Sequence, residues 1–338
     1  MHSVISRIEY HLPLQTLSTD DLAAEFPKWS VEKIDKKTGI KVRHIALKDE
    51  YASDLAVYAA QKLFHTGLVS AQDIDFILLC TQSPDYIIPT TACILQDRLG
   101  IPTTAGALDY NLGCSGFIYG LGIAEGLVCS GQAKSILLLT ADTYSKYLDR
   151  DDFACRSIFA DGAAATLIVA RDLHCPTIGP FIYGTDGGRA DSLILRGSGT
   201  GHFRQLEARG IDSELREGST ASLRMDGPKI FSFAMDTVPR LVLALLEKAK
   251  MKPEEIDLFV FHQANAYILE ALREHLGIPH NKIVISLADS GNTISSTIPI
   301  ALKNALSNNI LEQGHRVMLI GFGVGLSWGA TIVIWSAS

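Results

Sequence analysis

A run of residues in the first half of this chain returns about 180 positions later, and that recurrence limits the fold more than any other feature. Gln72-Asp73-Ile74-Asp75-Phe76-Ile77-Leu78-Leu79-Cys80 matches Glu254-Glu255-Ile256-Asp257-Leu258-Phe259-Val260-Phe261-His262 residue against residue. Leu99-Gly100-Ile101-Pro102 comes back as Leu276-Gly277-Ile278-Pro279. Gly131 followed by Ser135 to Leu139 comes back as Gly314 followed by Val317 to Ile320. Shared order and a near-constant offset predict two copies of one unit. Each copy reads helix, strand, helix, strand, buried helix, strand, the pattern of a duplicated α/β protein.

Aligning the copies pairs residues that no single motif would connect. Cys80 corresponds to His262 at a strand end. Cys114 corresponds to the Gly291-Asn292 turn, since both lie a similar distance beyond their Leu-Gly-Ile-Pro. Halves packed about a pseudo-twofold axis would bring Cys114, His262 and Asn292 to one centre.

Cys114 stands in Asn111-Leu112-Gly113-Cys114-Ser115-Gly116-Phe117. A short buried strand is expected over Ala105 to Leu112, and a helix from Gly116 to Cys129 closed by Gly131. A thiol at a helix N-terminus feels unpaired N–H groups and the positive end of the dipole, so a lowered pKa is expected. Free cysteine is equally a small buried hydrophobe, and most such cysteines are inert. His262 alone reads as a satisfied histidine at a strand end, and Asn292 alone as a turn residue beside Gly291.

Along the chain, a strand is expected over Val4 to Tyr10 and a helix over Thr19 to Phe26 capped by Thr19 or Asp20. A helix over Ala52 to Thr66 precedes the strand Asp75 to Cys80. The helix after Cys114 carries Gly116, Gly120, Gly122 and Gly126, each costing about 1 kcal/mol in an exposed helix. It is therefore expected to pack closely between two sheets, as is its counterpart Ser295 to Asn308. A strand follows at Ala165 to Val169. From Asp172 to Leu223 periodicity is poor, and loop and edge structure over a substrate channel is expected. Ile230 to Lys250 reads as a long helix with a kink or restart at Pro239. Gly321 to Gly329 reads as a glycine-rich turn between strands. It has neither the following helix of a dinucleotide fingerprint nor the lysine of a P-loop.

A net charge of −7 and a pI near 5.8 argue against binding nucleic acid by phosphate neutralisation. Met1 to Tyr10 lacks the apolar core of a signal peptide, and no run is long enough to span a membrane. A cytoplasmic protein without membrane insertion is expected. Six cysteines without a CxxC pair predict reduced thiols and no structural zinc.

Taken together, Asn111 to Phe117, His262-Gln263-Ala264-Asn265, Ser290-Gly291-Asn292-Thr293 and Gly321-Phe322-Gly323-Val324-Gly325 resemble the thiolase superfamily, specifically β-ketoacyl-acyl carrier protein synthase III and its relatives. Arg43-His44-Ile45, Phe159-Ala160-Asp161-Gly162 and Met225-Asp226-Gly227 are further landmarks. The resemblance covers essentially the whole chain. It implies a five-layered αβαβα sandwich of two thiolase-like halves, 1–171 with the nucleophilic cysteine and 172–338 with the histidine and asparagine. Cys114 would accept an acyl group from a thioester. His262 and Asn292 would act in decarboxylative condensation with a malonyl thioester, and the backbone N–H groups of Cys114 and Val324 would form the oxyanion hole. Substrate contacts would fall at Lys37, Ile88, Phe231, Asn265 and Tyr267. Coenzyme A or phosphopantetheine thioesters would be substrates, free or on an acyl carrier protein, with no tightly bound cofactor. A homodimer is implied.

Departures from the family pattern point to a specialised relative. Lys33 and Lys37 stand where members that accept coenzyme A carry tryptophan and arginine, and lysine lacks the stacking face and the planar fork. Tyr267 replaces a basic residue. Val324 replaces the middle glycine of a triple glycine and is expected to reshape the acyl pocket. Transfer of the acyl group from Cys114 to an oxygen or nitrogen is an alternative, and a catalytically silent partner subunit is a remote one. A papain-like protease shares the order Cys, His, Asn, but the duplication and the missing Cys-Gly-Ser-Cys-Trp oppose it.

Overall fold

The computed structural model describes residues 1–199 and 222–336. Two sheets stand at its centre with matching strand orders. The first has the order His2–His11, Gly162–Arg171, Ser135–Asp142, Phe76–Cys80, Gly106–Tyr110. The second runs Ile178–Thr185, Ser327–Ile334, Arg316–Gly323, Leu258–Phe261. In each, the two strands carrying the sequence repeat pair in parallel, Phe76–Cys80 with Ser135–Asp142 and Leu258–Phe261 with Arg316–Gly323. Gly106–Tyr110 adds a further parallel strand to the first sheet, and the two strands on the other side of each sheet pair antiparallel. The equivalence extends to side chains. Asp75 accepts from the amides of Lys134 and Ser135, and Asp257 accepts from the amide of Arg316. Each aspartate thereby fixes the start of its parallel pair.

One position differs between the halves. The Gly106–Tyr110 strand has no full counterpart, because its equivalent is an isolated parallel bridge between Ile283 and Phe259. Pro279 and a short 3₁₀ turn at His280–Lys282 precede that bridge.

Helices complete the layers. Ala52–His65 and Thr91–Arg98 cover the outer face of the first sheet, and Gly227–Ala249 with Ala266–His275 covers that of the second. Gly116–Cys129 and Thr297–Ser307 lie between the sheets. The expected layers are thus αβαβα. The glycines of the first central helix follow from this position. A Cβ on Gly116 would collide with the Cys80 sulfur, one on Gly120 with Tyr110, and one on Gly122 with Tyr183. Gly126 has open space, and nothing in the structure explains it.

Several expectations are corrected. Ser18 caps the Thr19–Glu25 helix, because its hydroxyl accepts from the Asp21 amide while Asp21 accepts from the Ser18 amide, a capping box that Thr19 and Asp20 cannot form. Gly106–Tyr110 is half-exposed, since as an edge strand it has one neighbour only, and Leu108 is 43% exposed. The central helix of the second half starts at Thr297, after a 3₁₀ turn over Ile294–Ser296. Pro239 does not restart the long helix, which runs without a break from an Asp226 cap at Gly227 to Ala249. The aperiodic region supplies an edge strand, Ile178–Thr185, and a ladder of Leu193–Arg196 with Ser222–Met225. The rest of that region, 200–221, lies outside the described residues.

Candidate active site

Cys114, His262 and Asn292 line one narrow cavity of about 80 Å³, although they come from opposite halves of the chain. Phe322, Gly323, Ile230 and Asn265 are among its other walls. Each of the three is carried on a segment whose conformation the local sequence dictates.

Cys114 precedes the helix Gly116–Cys129, with Ser115 as the N-cap residue. The glycine turn after Arg316–Gly323 presses against it. A Cβ on Gly323, whose φ is +158°, would lie 2.7 Å from the Cys114 sulfur, and one on Gly321 would lie 2.9 Å from the Cys114 carbonyl oxygen. Only glycine lets that backbone approach. The approach turns the Val324 N–H towards the thiol, where it favours the thiolate.

The thiol is buried, with 5% exposure, and this reverses the expected pKa shift. Burial pushes the Cys114 thiol up to about 12, outweighing the Val324 N–H that favours the thiolate. A helix N-terminus offers only partial charges, whereas desolvation acts on the whole thiolate charge. The resting group is a neutral thiol.

His262 follows the strand Leu258–Phe261 and is equally buried. Desolvation drives its imidazole down to about 3, so it is neutral at physiological pH. Nδ1 lies 2.7 Å from the Thr297 hydroxyl, which donates to the Ile294 carbonyl at 3.1 Å. A hydroxyl that donates to Ile294 must accept from Nδ1–H, which leaves Nε2 as a lone pair. The Asn292 carboxamide donates to that nitrogen at 3.4 Å and to the Ala264 carbonyl at 3.3 Å. Asn292 is clamped in turn: its amide donates to the Ile158 carbonyl, its carbonyl accepts from the Ala160 amide, and its Oδ1 accepts from the Ile294 amide. Ile294, a β-branched residue, is held at φ +54° by this turn. Such backbone costs about 1–3 kcal/mol and persists only where its surroundings over-determine it.

Beneath the site lies the buried carboxyl of Asp142, raised to about 7 by desolvation. It accepts from the Ser295 hydroxyl at 2.6 Å and from the Gln82 amide at 2.8 Å. It thereby ties the turn bearing Asn292 to the first sheet.

A larger cleft of about 740 Å³ opens beside the cavity, lined by Tyr86, Ile87, Tyr144, Leu195, Leu223 and Val324. The thiol cavity is too small for more than about two or three waters, so among the described residues around the thiol it is the adjoining cleft that offers room for an acyl chain. Val324 stands on the cleft side of the glycine turn.

The remaining expected residues fall outside the cavity, apart from Asn265, which also caps the helix Ala266–His275 by accepting from the Ile268 amide. Phe231 and Tyr267 pack on each other with ring centroids 5.5 Å apart, and Tyr267 is exposed. Ile88 is 85% exposed and lines neither cavity; its neighbour Ile87 lines the cleft. The Lys37 ammonium sits 4.5 Å over the ring of Trp29, which stacks on Phe153 at 4.4 Å. Sequence reasoning missed Trp29, Phe153 and Thr297. Trp29 lies in the lysine-rich stretch from Lys28 to Lys41, and Thr297 stands five residues after Asn292, but only folding brings either into contact with a named residue.

Two family models match, described as 3-oxoacyl-[acyl-carrier-protein] synthase III over residues 108–187 and its C-terminal part over residues 246–335. A β-ketoacyl-[acyl-carrier-protein] synthase III from Clostridium perfringens is 38% identical over 319 residues, covering 94% of this chain and 95% of that one. A second synthase III from Halalkalibacterium halodurans is 38% identical, covering 98% and 96%. Among solved structures, a 3-oxoacyl-(acyl-carrier-protein) synthase III superposes with a TM-score of 0.92 at 46% identity, covering 99% of this chain and 100% of that one.

Proposed function

The chain belongs to the 3-oxoacyl-[acyl-carrier-protein] synthase III family, and we propose that it joins an acyl thioester to a malonyl thioester with Cys114 as acyl acceptor and His262 and Asn292 as the decarboxylation pair. The observation that carries this reading is the shared cavity of the three side chains, in which Nε2 of His262 and Nδ2 of Asn292 stand 3.4 Å apart.

In the first half-reaction the Cys114 proton passes to Nε2 of His262, and the thiolate attacks the donor carbonyl. The tetrahedral oxyanion accepts from the N–H groups of Cys114 and Val324, a type of contact worth about 3 kcal/mol per donor. Collapse expels the donor thiolate, which takes the proton from His262 and leaves the acyl group on sulfur.

The second half-reaction needs a donor at Nε2 rather than a base. If the Thr297 hydroxyl turns from the Ile294 carbonyl to donate to Nδ1, the imidazole proton resides on Nε2. His262 and Asn292 then both donate to the malonyl thioester oxygen as its carbon–carboxylate bond breaks and an enolate forms. Neutral donors suit this step, and a histidine held near pKa 3 is one. The enolate carbon attacks the acyl carbonyl and releases Cys114 as thiolate, which a proton restores. The sum is acyl thioester, malonyl thioester and one proton giving 3-oxoacyl thioester, carbon dioxide and free thiol.

Donor thioesters of coenzyme A or carrier protein, a cytoplasmic site of action and a homodimer belong to the same proposal, supported by family membership. Among the described residues no helix is long and apolar enough to cross a membrane. The exposed Tyr86, Ile87 and Ile88 beside the half-exposed Gly106–Tyr110 edge supply an apolar face for a second copy. The test is product mass after incubation with acyl and malonyl thioesters. A 3-oxoacyl product supports the reading, while transfer of the acyl group to an oxygen or nitrogen acceptor without carbon dioxide release replaces it.

A further inference from the structure

At the far end of the helix Gly116–Cys129 a second group of side chains meets that the acyl chemistry does not use. Glu125 and Cys129 are four residues apart on one helix, so they share a face. His2, at the start of the first strand, reaches the same place. Its Nδ1 lies 3.1 Å from Oε1 of Glu125, and the Cys129 sulfur lies 3.1 Å from that oxygen and 3.9 Å from Nδ1. The amide of Ser3 donates to the other carboxylate oxygen at 2.8 Å, and the Ser3 hydroxyl donates there as well. Ser3 therefore orients Glu125 so that Oε1 faces the imidazole and the thiol.

We propose that His2, Glu125 and Cys129 form a binding site for a zinc-class divalent ion that fastens the first strand to the helix following Cys114. The spacing fits. Zinc bonds of ~2.3 Å to sulfur and ~2.0–2.1 Å to nitrogen and oxygen at tetrahedral angles hold donor atoms ~3.3–3.6 Å apart. The three separations found here lie within a few tenths of an ångström of that. The donors fit as well: thiolate with imidazole selects a borderline-soft ion over magnesium or calcium. Glutamate and the cysteine thiolate together cancel the charge of the ion.

In the ion-free protein the Glu125 carboxylate holds the Cys129 thiol above its ordinary pKa, because it favours the protonated sulfur as a hydrogen-bond donor. Binding exchanges that proton: the S–H bond breaks, the sulfur–metal bond forms, and one proton enters solution. The Met1 carbonyl oxygen, 3.7 Å from the sulfur, is within reach of a fourth position that water otherwise fills. Among the described residues no other group of three or more His, Cys, Asp or Glu side chains comes together in this way.

The test uses the reduced full-length protein, titrated with zinc chloride against a chromophoric chelator and with cobalt chloride followed by absorption. One equivalent of zinc and a thiolate-to-cobalt charge-transfer band are expected. Cys129→Ser should abolish the band, and both Cys129→Ser and Glu125→Gln should raise the zinc Kd at least about tenfold, whereas Cys114→Ala should change neither. Cys129 is exposed, so its serine variant leaves the core untouched. If Glu125→Gln fails to fold, His2→Asn takes its place. An unaltered band in Cys129→Ser, loss of binding in Cys114→Ala, or no zinc bound by the wild-type protein would each overturn the proposal.

Discussion

The Thr297 hydroxyl lies 2.7 Å from Nδ1 of His262 and 3.1 Å from the carbonyl of Ile294, so one rotor decides which imidazole nitrogen carries the proton. Thr297→Val keeps the shape and removes the rotor, leaving Nδ1 unpaired in a buried site. An unpaired buried group costs about 1–3 kcal/mol, so condensation should slow roughly ten- to hundredfold. Thr297→Ser should restore it. Steady-state rates of both variants, with circular dichroism to confirm the fold, check this; equal rates in Thr297→Val and the wild type would remove the hydroxyl from the account.

Val324 stands between the thiol cavity and the larger cleft. Val324→Gly should join the two spaces and shift acyl loading of Cys114 towards longer or branched donors, and Val324→Phe should shift it towards shorter ones. Intact-mass measurement with a panel of acyl thioesters reads the preference directly.

The pKa directions fix a pH response. With the thiol raised to about 12 and the imidazole lowered to about 3, both groups are neutral between pH 5 and 9. Below its pKa a thiolate fraction grows about tenfold per pH unit. Alkylation of Cys114 in the free protein should therefore climb across this range without a plateau and without an inflection near the ordinary histidine pKa. Stability responds in the acid direction. His262 takes up a proton more readily unfolded than folded, so its contribution is lost as pH falls from about 6.5 towards 3, by up to about 1.4 kcal/mol per unit. Urea titrations of the wild type and of His262→Gln from pH 7 to pH 4 isolate this slope as their difference, since the opposite contributions of the buried Asp142 and Asp161 and the like-signed contribution of His11 are common to both.

Gly323→Ala tests the close approach at Cys114. The added methyl would meet the Cys114 sulfur at a backbone angle that side chains seldom adopt. A loss of about 1–3 kcal/mol of stability is expected, together with loss of acyl loading. An alanine variant that loads normally would show that the glycine turn does not set the thiol.

The duplication was legible because burial enforces it: Phe76–Cys80 and Leu258–Phe261 are covered on both faces, so both stay apolar throughout. That register alone brought Cys114, His262 and Asn292 to one centre. The second-half counterpart of Gly106–Tyr110 was not legible, since a single bridge at Ile283 leaves no strand-length pattern. The direction of the Cys114 pKa was missed for a related reason. A helix start can be read along the chain, but the burial that outweighs it comes from Gly321, Gly323 and Val324, about 200 residues away. Lys37 and Trp29 show the same limit, being eight positions apart and joined only by the turn of one short helix.

In the proposed reaction residues of both halves divide the work, with loading on Cys114 and decarboxylation at His262 and Asn292. The most direct measurement follows Asn292→Ala in two assays, the acyl adduct on Cys114 by intact mass and carbon dioxide release from a malonyl thioester. Removing one enolate donor should cut release by about 10²–10³-fold while the acyl adduct still forms. Carbon dioxide release at the wild-type rate would contradict the account.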